Sequence, residues 1–245
     1  MTSPPQPERV AKKFDAYIDK SQIYFGHSRR EMLEFVPRGG QSIIEVGCGS
    51  GSFGALVKQR DGCRYTGVEL VEEQANIARS RLDEVVVANI EEAALPFSPE
   101  SFDGLICNDV LEHLVDPWKT LKQLVRYVRP SGFVVLSIPN VRFSEVVKDL
   151  VFRNAWEYQK EGVLDRTHLR FFTERSFRGL MEGADLRVDR LQGINAIRFA
   201  WRLRTLNLLL LGALSPMRFP QFAATAFVRT NAKPDSPTAC PTVKY

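Results

Sequence analysis

The chain has 245 residues, of which 44% are hydrophobic, so it can bury one sizeable core and its composition calls for no second domain. The net charge of +4 is small and the basic residues form no long tract. Nucleic acid is therefore not expected as a partner, whereas an anionic acceptor stays open. The four cysteines include no CxxC pair, which predicts a reduced, cytoplasmic protein.

Strand-like apolar runs alternate with helical ones along most of the chain. Seven runs are predicted to be strands, namely Ser42 to Val46, Arg64 to Glu69, Glu84 to Ala88, Phe102 to Cys107, Phe133 to Ile138, Arg187 to Leu191 and Ala223 to Arg229. Strands separated by helices are typical of an α/β fold. We therefore expect a doubly wound, mostly parallel sheet with helices on both faces.

The ends of the chain differ in composition from its middle. The first residues contain several prolines and no apolar core of the kind that a signal peptide needs, and the last fifteen lack periodicity. We predict one domain between two disordered ends. The predicted boundaries are 1–9 and 231–245 for the ends, 10–230 for the domain, and within it 40–140 for a cofactor core, 141–185 for a substrate cover and 186–230 for the C-terminal helix and strands.

The first predicted strand ends in an acid that is followed by three glycines at alternate positions. This pattern, acid-x-Gly-x-Gly-x-Gly, lets the backbone approach a nucleotide-like ligand closely. A dinucleotide-binding loop spaces its last two glycines three apart, which disfavours an NAD-linked oxidoreductase. The segment resembles the first motif of the class I S-adenosylmethionine-dependent methyltransferases. That resemblance implies that S-adenosylmethionine is the cofactor and that its loop contacts are Glu45, Gly47, Cys48, Gly49 and Gly51.

The second predicted strand ends at Glu69, about twenty residues after the glycines. A carboxylate at this place can accept hydrogen bonds from both hydroxyls of a ribose, and Leu70 beside it would line the same site. The alternative is that Glu69 caps the helix predicted from Val71 to Leu82. Behind such a glycine loop, the ribose role is the favoured interpretation.

The third predicted strand is followed by Asn89 and Ile90. In the family that the chain resembles, a polar residue here contacts the adenine, and it is usually an aspartate. Asn89 departs from that pattern, although an amide can both donate to and accept from the edge of a base. A loop asparagine without a ligand is the alternative.

The fourth predicted strand leads into Asn108, Asp109, Glu112 and His113. This segment resembles the one in small-molecule methyltransferases, including those of ubiquinone biosynthesis, and Asn108 would lie beside the cofactor. Three roles stay open for the others. His113 would be a general base for a substrate hydroxyl, with Asp109 at the same site. Asp109, Glu112 and His113 would together hold a divalent cation. Alternatively, Glu112 and His113 orient the glycine loop.

The clearest predicted helix runs from Pro117 to Val128, because Asp116 is a good N-cap residue and proline suits the first turn.

Four polar residues lie after the fifth predicted strand, just before another predicted helix whose N-cap is Thr173. This segment resembles one in methyltransferases found with sugar and polysaccharide enzymes. A substrate role for His168 is preferred over a purely structural one. The four residues are Asp165, Arg166, His168 and Arg170.

The most apolar run of the chain lies at 201–214, and it is too short and too polar at its start to span a bilayer. Three interpretations are open, in order of preference. The run packs over the core, forms a face for a homodimer or another partner, or lies on a membrane surface through 198–214. For the last, Arg198, Arg202 and Arg204 would contact lipid phosphates.

These observations together predict an S-adenosylmethionine-dependent methyltransferase that methylates an oxygen of a small-molecule or sugar-containing acceptor. The alternative is a cofactor-binding protein that has lost catalysis and acts through a partner, because binding a cofactor does not require chemistry. The acceptor itself cannot be read from the residues.

Overall fold

A computed structural model describes residues 29–92, 94–198, 205 and 207–230 of the chain. The ends predicted to be disordered, 1–9 and 231–245, lie outside these ranges. In the described residues seven strands form one sheet in the order β3-β2-β1-β4-β5-β7-β6, and each overlaps a predicted strand. The strands are β1 (Ser42–Val46), β2 (Arg64–Glu69), β3 (Glu84–Val87), β4 (Phe102–Asn108), β5 (Val128–Pro139), β6 (Leu186–Ile194) and β7 (Gln221–Val228).

Strands β1 to β5 are parallel to one another. Strand β7 lies between β5 and β6 and is antiparallel to both. Consecutive strands that lie side by side can be antiparallel because they need no helical crossover, and β6 and β7 are such a pair. The prediction of a mostly parallel, doubly wound sheet is confirmed. The register shifts between Phe102 and Gly104, where β5 includes residues before the predicted start at Phe133.

Five α-helices lie wholly within the described residues, together with three short 3₁₀ turns, and residues 205 and 207–209 are also helical. The α-helices are α1 (Ser52–Asp61), α2 (Glu72–Ala78), α3 (Pro117–Val125), α4 (Ser144–Phe152) and α5 (Glu174–Gly183), and the 3₁₀ turns are Arg30–Phe35, Leu111–His113 and Ser215–Arg218. Two helices are shorter than predicted. The helix expected to reach Leu82 ends at Ala78, and the one expected to reach Val128 ends at Val125, because Val128 already belongs to β5.

The sheet has a hydrophobic core on each face. Neighbouring strand residues such as Ile43 and Ile44 belong to different cores, as side chains that alternate across a strand should. Helices α3 and α5 cover one face, while the first 3₁₀ turn and α1 cover the other. Burial on both faces explains why the central strands read as continuous apolar runs.

Two predicted N-caps fix the helices that flank the sheet edge. The Asp116 carboxylate accepts a hydrogen bond from the Lys119 amide at 3.0 Å at the start of α3. Thr173 and Ser176 form a reciprocal capping box at the start of α5. Both caps satisfy amide groups that a helix start leaves without partners.

The apolar run at 201–214 is described only at residues 205 and 207–214, and Arg202 and Arg204 lie outside the described part. The prediction that this run packs over the core is wrong for Leu208, Leu209, Leu210 and Leu211, which are 46% to 97% exposed. A partner face and a membrane-surface contact stay predictions. Among the described residues no helix is both long and apolar enough to cross a membrane.

Candidate active site

The glycine loop follows β1 at the carboxyl edge of the sheet. Gly47, Gly49 and Gly51 all have positive φ, between 53° and 76°, which a side chain would disfavour. A Cβ atom on Gly47 would lie 2.4 Å from a methyl carbon of Val110, in the segment after β4. The loop therefore packs closely against that segment.

Glu69 ties this loop to the end of β2. Its carboxylate accepts hydrogen bonds from the amides of Gly49 at 2.8 Å, Leu70 at 2.8 Å and Val71 at 3.0 Å. Burial raises the pKa of Glu69, and these amides oppose the rise. The carboxylate thus organises the loop and the start of α2, while a carboxylate oxygen has more than one acceptor site. The ribose contact stays a prediction.

Glu45, the acid before the glycines, is buried beneath the loop. Its carboxylate accepts a hydrogen bond from the Tyr65 hydroxyl at 3.0 Å. Burial raises the pKa of Glu45 to about 8, the Tyr65 hydrogen bond lowers it, and the nearby charge of Glu69 raises it. Burial likewise raises the pKa of the Cys48 thiol, so that thiol is not activated as a nucleophile.

The three remaining cofactor candidates follow β3 and β4. The Asn89 side-chain oxygen accepts from the Glu91 amide at 3.1 Å and so forms a turn, and Ile90 packs partly buried against the core. The amide nitrogen and oxygen of Asn108 are buried and have no hydrogen-bond partner among the described residues. A buried amide without partners costs free energy, so a ligand with polar groups at this edge fits the residues present.

Asp109 is not grouped with Glu112 and His113, which corrects the predicted three-residue cation set. Its carboxylate pairs with Arg29 and accepts hydrogen bonds from the Ser137 hydroxyl at 2.8 Å and the Gln221 amide at 3.1 Å. The backbone explains this placement, because Asp109 has a φ of 52° and turns away from the residues that follow it. Asp109 therefore joins β4, β5 and β7 to the N-terminal segment.

His168 takes the place that was expected for Asp109. Glu112, His113 and His168 are all at most 7% exposed, and one ligand atom from each lies within 4.8 Å of the other two. The two imidazole rings contact edge to face with centroids 4.7 Å apart. His168 Nε2 lies 3.9 Å from Glu112 Oε1. We call these three residues the His-Glu cluster.

A loop from the predicted substrate cover surrounds this cluster. The Glu112 carbonyl accepts hydrogen bonds from the amides of Leu169 and Arg170, at 2.8 and 3.0 Å. His113 Nδ1 lies 3.2 Å from the Thr167 carbonyl, and His168 Nδ1 lies 2.9 Å from the Val163 carbonyl. The segment after β4 and the segment before α5 therefore form one unit at the edge of the sheet.

Sequence reasoning missed four residues of the site. Thr167 contacts His113, and Arg29, Ser137 and Gln221 surround Asp109. Ser and Thr are common in strands and loops, so nothing in the local pattern marks Thr167 or Ser137. Arg29 belongs to a basic pair before an apolar run, but that pattern does not show which acid Arg29 would contact.

A sequence model of a family described as "Methyltransferase domain" matches residues 21–191 of the chain, which includes the glycine loop, Glu69 and the His-Glu cluster. Among curated proteins, a ubiquinone biosynthesis O-methyltransferase of Paracidovorax citrulli is 30% identical over 139 residues, 51% of this chain and 58% of that protein. The 27-O-demethylrifamycin SV methyltransferase of Amycolatopsis mediterranei is 24% identical over 159 residues, 54% of this chain and 58% of that protein. The chain thus spans a little over half of the length of these relatives.

Solved structures share the fold. A complex of the Haloferax volcanii Trm112 methyltransferase activator with a methyltransferase contains a chain that matches with a TM-score of 0.62 at 17% identity, over 93% of this chain and 100% of that one. A Thermotoga maritima S-adenosylmethionine-dependent methyltransferase matches with a TM-score of 0.58 at 19% identity, over 91% and 98%. With the family match over more than half of its length, the chain belongs to the methyltransferase-domain family, whose cofactor is S-adenosylmethionine.

Proposed function

We propose that the protein transfers a methyl group from S-adenosylmethionine to a hydroxyl of a small-molecule or sugar-containing acceptor. The cofactor would lie on the glycine loop at Gly47 and Gly49, with its ribose at Glu69 and further polar contacts at Asn108. When bound, S-adenosylmethionine supplies a methyl group that its sulfonium has already activated. The protein then has to align the acceptor oxygen with that methyl group and promote loss of the hydroxyl proton.

The observation that carries this proposal is the His-Glu cluster at the same sheet edge as the glycine loop. Val110 contacts the loop at Gly47, and two residues later Glu112 and His113 enter the cluster. Imidazole and carboxylate groups are the side chains that most often assist proton removal near neutral pH. The segment that packs against the glycine loop thus carries groups suited to assist proton removal, which supports an acceptor hydroxyl at this edge.

The orientation of the rings supports the same role. A carbonyl oxygen only accepts hydrogen bonds, so the ring nitrogens that face the Val163 and Thr167 carbonyls carry the proton. The Thr167 hydroxyl donates to the Asp165 carboxylate at 2.7 Å and is left to accept from His113 Nδ1. In both rings Nε2 is therefore the unprotonated nitrogen, and His168 Nε2 lies 3.9 Å from Glu112 Oε1.

The relatives named above support oxygen as the methylated atom, since two of them carry names of O-methyltransferases. Both act on small molecules by name. Neither name identifies the acceptor of this chain, because the alignments cover little more than half of each relative.

A cofactor-binding protein without catalysis is the second candidate, and the exposed leucines at 208–211 favour it because they provide a face for a partner. Under this alternative the exposed run docks the partner, and bound cofactor sets the conformation of the sheet edge. The two candidates share cofactor binding and differ in product formation.

Two measurements test the proposal. In a thermal-shift assay, the melting temperature should rise when S-adenosylmethionine or S-adenosylhomocysteine is added and should not rise with NAD. Mass spectrometry of a panel of phenolic, polyketide-like and sugar-containing hydroxyl acceptors, with isotope-labelled methyl cofactor, should then show a labelled methyl ether and one equivalent of S-adenosylhomocysteine. Cofactor binding without transfer to any acceptor, and with retention of a partner protein by the 208–211 face, would favour the second candidate. Labelled product on nitrogen or carbon would contradict O-methylation.

A further inference from the structure

We infer that Glu112, His113 and His168 form a binding site for a divalent transition-metal ion, with zinc the ion that best suits the donor set. The inference deepens the proposed function, and only the part that concerns the acceptor hydroxyl rests on it. One carboxylate oxygen and two imidazole nitrogens already lie within 4.8 Å of one another. Four ligands at about 2.1 Å in a tetrahedron lie about 3.4 Å apart, so small side-chain rotations close the site around an ion.

The hydrogen bonds behind the rings are those of an oriented metal site. Metal-bound histidines usually donate their second ring N–H to a carbonyl or carboxylate, which fixes the tautomer and the direction of the ring. His168 Nδ1 faces the Val163 carbonyl at 2.9 Å, and His113 Nδ1 faces the Thr167 carbonyl at 3.2 Å. These hydrogen bonds leave Nε2 as the unprotonated nitrogen of each ring, and His168 Nε2 lies 3.9 Å from Glu112 Oε1.

A further layer holds these partners in place. The Asp165 carboxylate accepts hydrogen bonds from the Thr167 amide at 2.8 Å and from the Thr167 hydroxyl at 2.7 Å. Asp165 is 1% exposed and Thr167 is 5% exposed. This series of a buried carboxylate, a hydroxyl and an imidazole fixes the orientation of the His113 ring.

The donor set indicates the class of ion. Two imidazole nitrogens with one carboxylate suit Zn²⁺, Fe²⁺, Co²⁺ or Ni²⁺, whereas Mg²⁺ and Ca²⁺ prefer sites built only from oxygen. Asp109, which the sequence suggested as a ligand, is instead held by Arg29.

Three protein ligands leave one position open, as in catalytic zinc sites. With an ion bound, the two imidazoles would be ligands and not bases. An acceptor hydroxyl in the open position would then lose its proton to water more readily, because the ion would lower the pKa of the bound oxygen. The new O–CH₃ bond then forms as the S–CH₃ bond breaks, and the sulfonium becomes a neutral thioether. The deprotonated oxygen supplies the electron pair, so no oxidant or reductant is required.

The test begins with metal content, which needs no acceptor. The full chain is purified without an immobilised-metal column, stripped with chelator, loaded with Zn²⁺ or Co²⁺, desalted and analysed by mass spectrometry for metal. We expect about one ion per chain, visible Co²⁺ absorption typical of a four-coordinate nitrogen and oxygen site, and a higher melting temperature with Zn²⁺.

The decisive variants are Glu112→Gln and His168→Ala. Glu112→Gln keeps the size and removes the charge, so it carries the test even if His168→Ala fails to fold. Each should lower the retained metal at least tenfold and abolish the Co²⁺ absorption. Glu45→Gln is the matched control, a buried acid changed in the same way outside the cluster, and it should retain wild-type metal content.

The possible outcomes separate the metal site from its role in catalysis. Metal retained by the wild type and Glu45→Gln but lost in Glu112→Gln supports the site. Metal retained equally by Glu112→Gln, or absent from the loaded wild type, overturns it. Methyl transfer by chelated, metal-free protein at the wild-type rate also overturns the role in catalysis. Bound metal without transfer to any acceptor would instead contradict the proposed function and leave the metal site standing.

Discussion

The cofactor half and the acceptor half of this sheet edge are built in different ways. In the cofactor half, Glu69 and the glycine loop that it holds are 20 residues apart and belong to adjacent strands. In the acceptor half, His113 and Thr167 are 54 residues apart and come from segments on either side of β5. In the first half one carboxylate gathers backbone amides, whereas in the second half two imidazole rings each face a backbone carbonyl.

Because of this difference, we expect the two halves to respond differently to amino-acid substitution. A loop held by backbone groups keeps its shape when its exposed side chains vary, because every residue except proline provides an N–H donor. A cluster held by imidazoles and a carboxylate depends on each residue in it. We therefore expect changes in the cofactor half to alter binding and folding, and changes in the acceptor half to alter turnover.

The largest expected effect is the pH dependence of folding that comes from Glu45. Its pKa is about 8 in the folded chain and 4.5 without burial. Between pH 4.5 and 8, Glu45 is ionised in the unfolded chain and protonated in the folded chain. The free energy of unfolding therefore falls as pH rises. Without cofactor, the loss should be on the order of 4 kcal/mol between pH 4.5 and 8, and it should be absent in Glu45→Gln. Denaturant titrations of both proteins across this window measure it, and parallel pH curves would contradict it.

The next effect should separate the two halves by turnover. His113→Ala or His168→Ala should lower turnover on a true acceptor by about 100-fold or more, because the group that promotes proton loss is removed. The dissociation constant of S-adenosylhomocysteine should stay nearly the same. Steady-state kinetics and calorimetric titration of each variant measure the two quantities. Wild-type turnover in both variants would mean that catalysis rests on proximity alone.

The converse effect is expected for the cofactor half. Glu69→Ala removes a charged acceptor that also holds three amides, so it should weaken the binding of S-adenosylhomocysteine by roughly 1.5 to 3 kcal/mol. Calorimetric titration gives the affinity, and circular dichroism shows that the variant is folded. An unchanged dissociation constant would assign Glu69 to the loop and the start of α2 only.

The smallest effect tests whether Asp109 is part of a structural junction. Ser137→Ala removes the buried hydroxyl that donates to Asp109, so the free energy of unfolding should fall by about 1 kcal/mol. Ser101→Ala is the matched control, because the Ser101 hydroxyl bonds the Ser98 carbonyl on an exposed surface. Chemical denaturation of both variants decides the matter. Equal stability of the two would remove Ser137 from the junction.

Features that depend on neighbouring residues, such as buried strands, positive-φ glycines and helix caps, could be predicted from the sequence. The central strands appear as apolar runs because both faces of the sheet are buried, and the glycines mark positions with positive φ. Asp116 and Thr173 were predictable as caps because a cap bonds amides within the next three residues. The position of Glu69 beside the glycine loop was predictable because the ends of adjacent parallel strands meet at one edge of the sheet.

Which polar residues meet depends on contacts between segments that are distant in the chain. The sequence grouped Asp109 with Glu112 and gave His168 a separate substrate role. In the structure Asp109, which has a positive φ, pairs with Arg29, and the loop before α5 brings His168 to Glu112. The exposure of Leu208 to Leu211 was equally hidden, since apolar composition does not reveal which surface covers a run. Contacts between distant segments depend on the path of the whole chain, and no local propensity or spacing records that path.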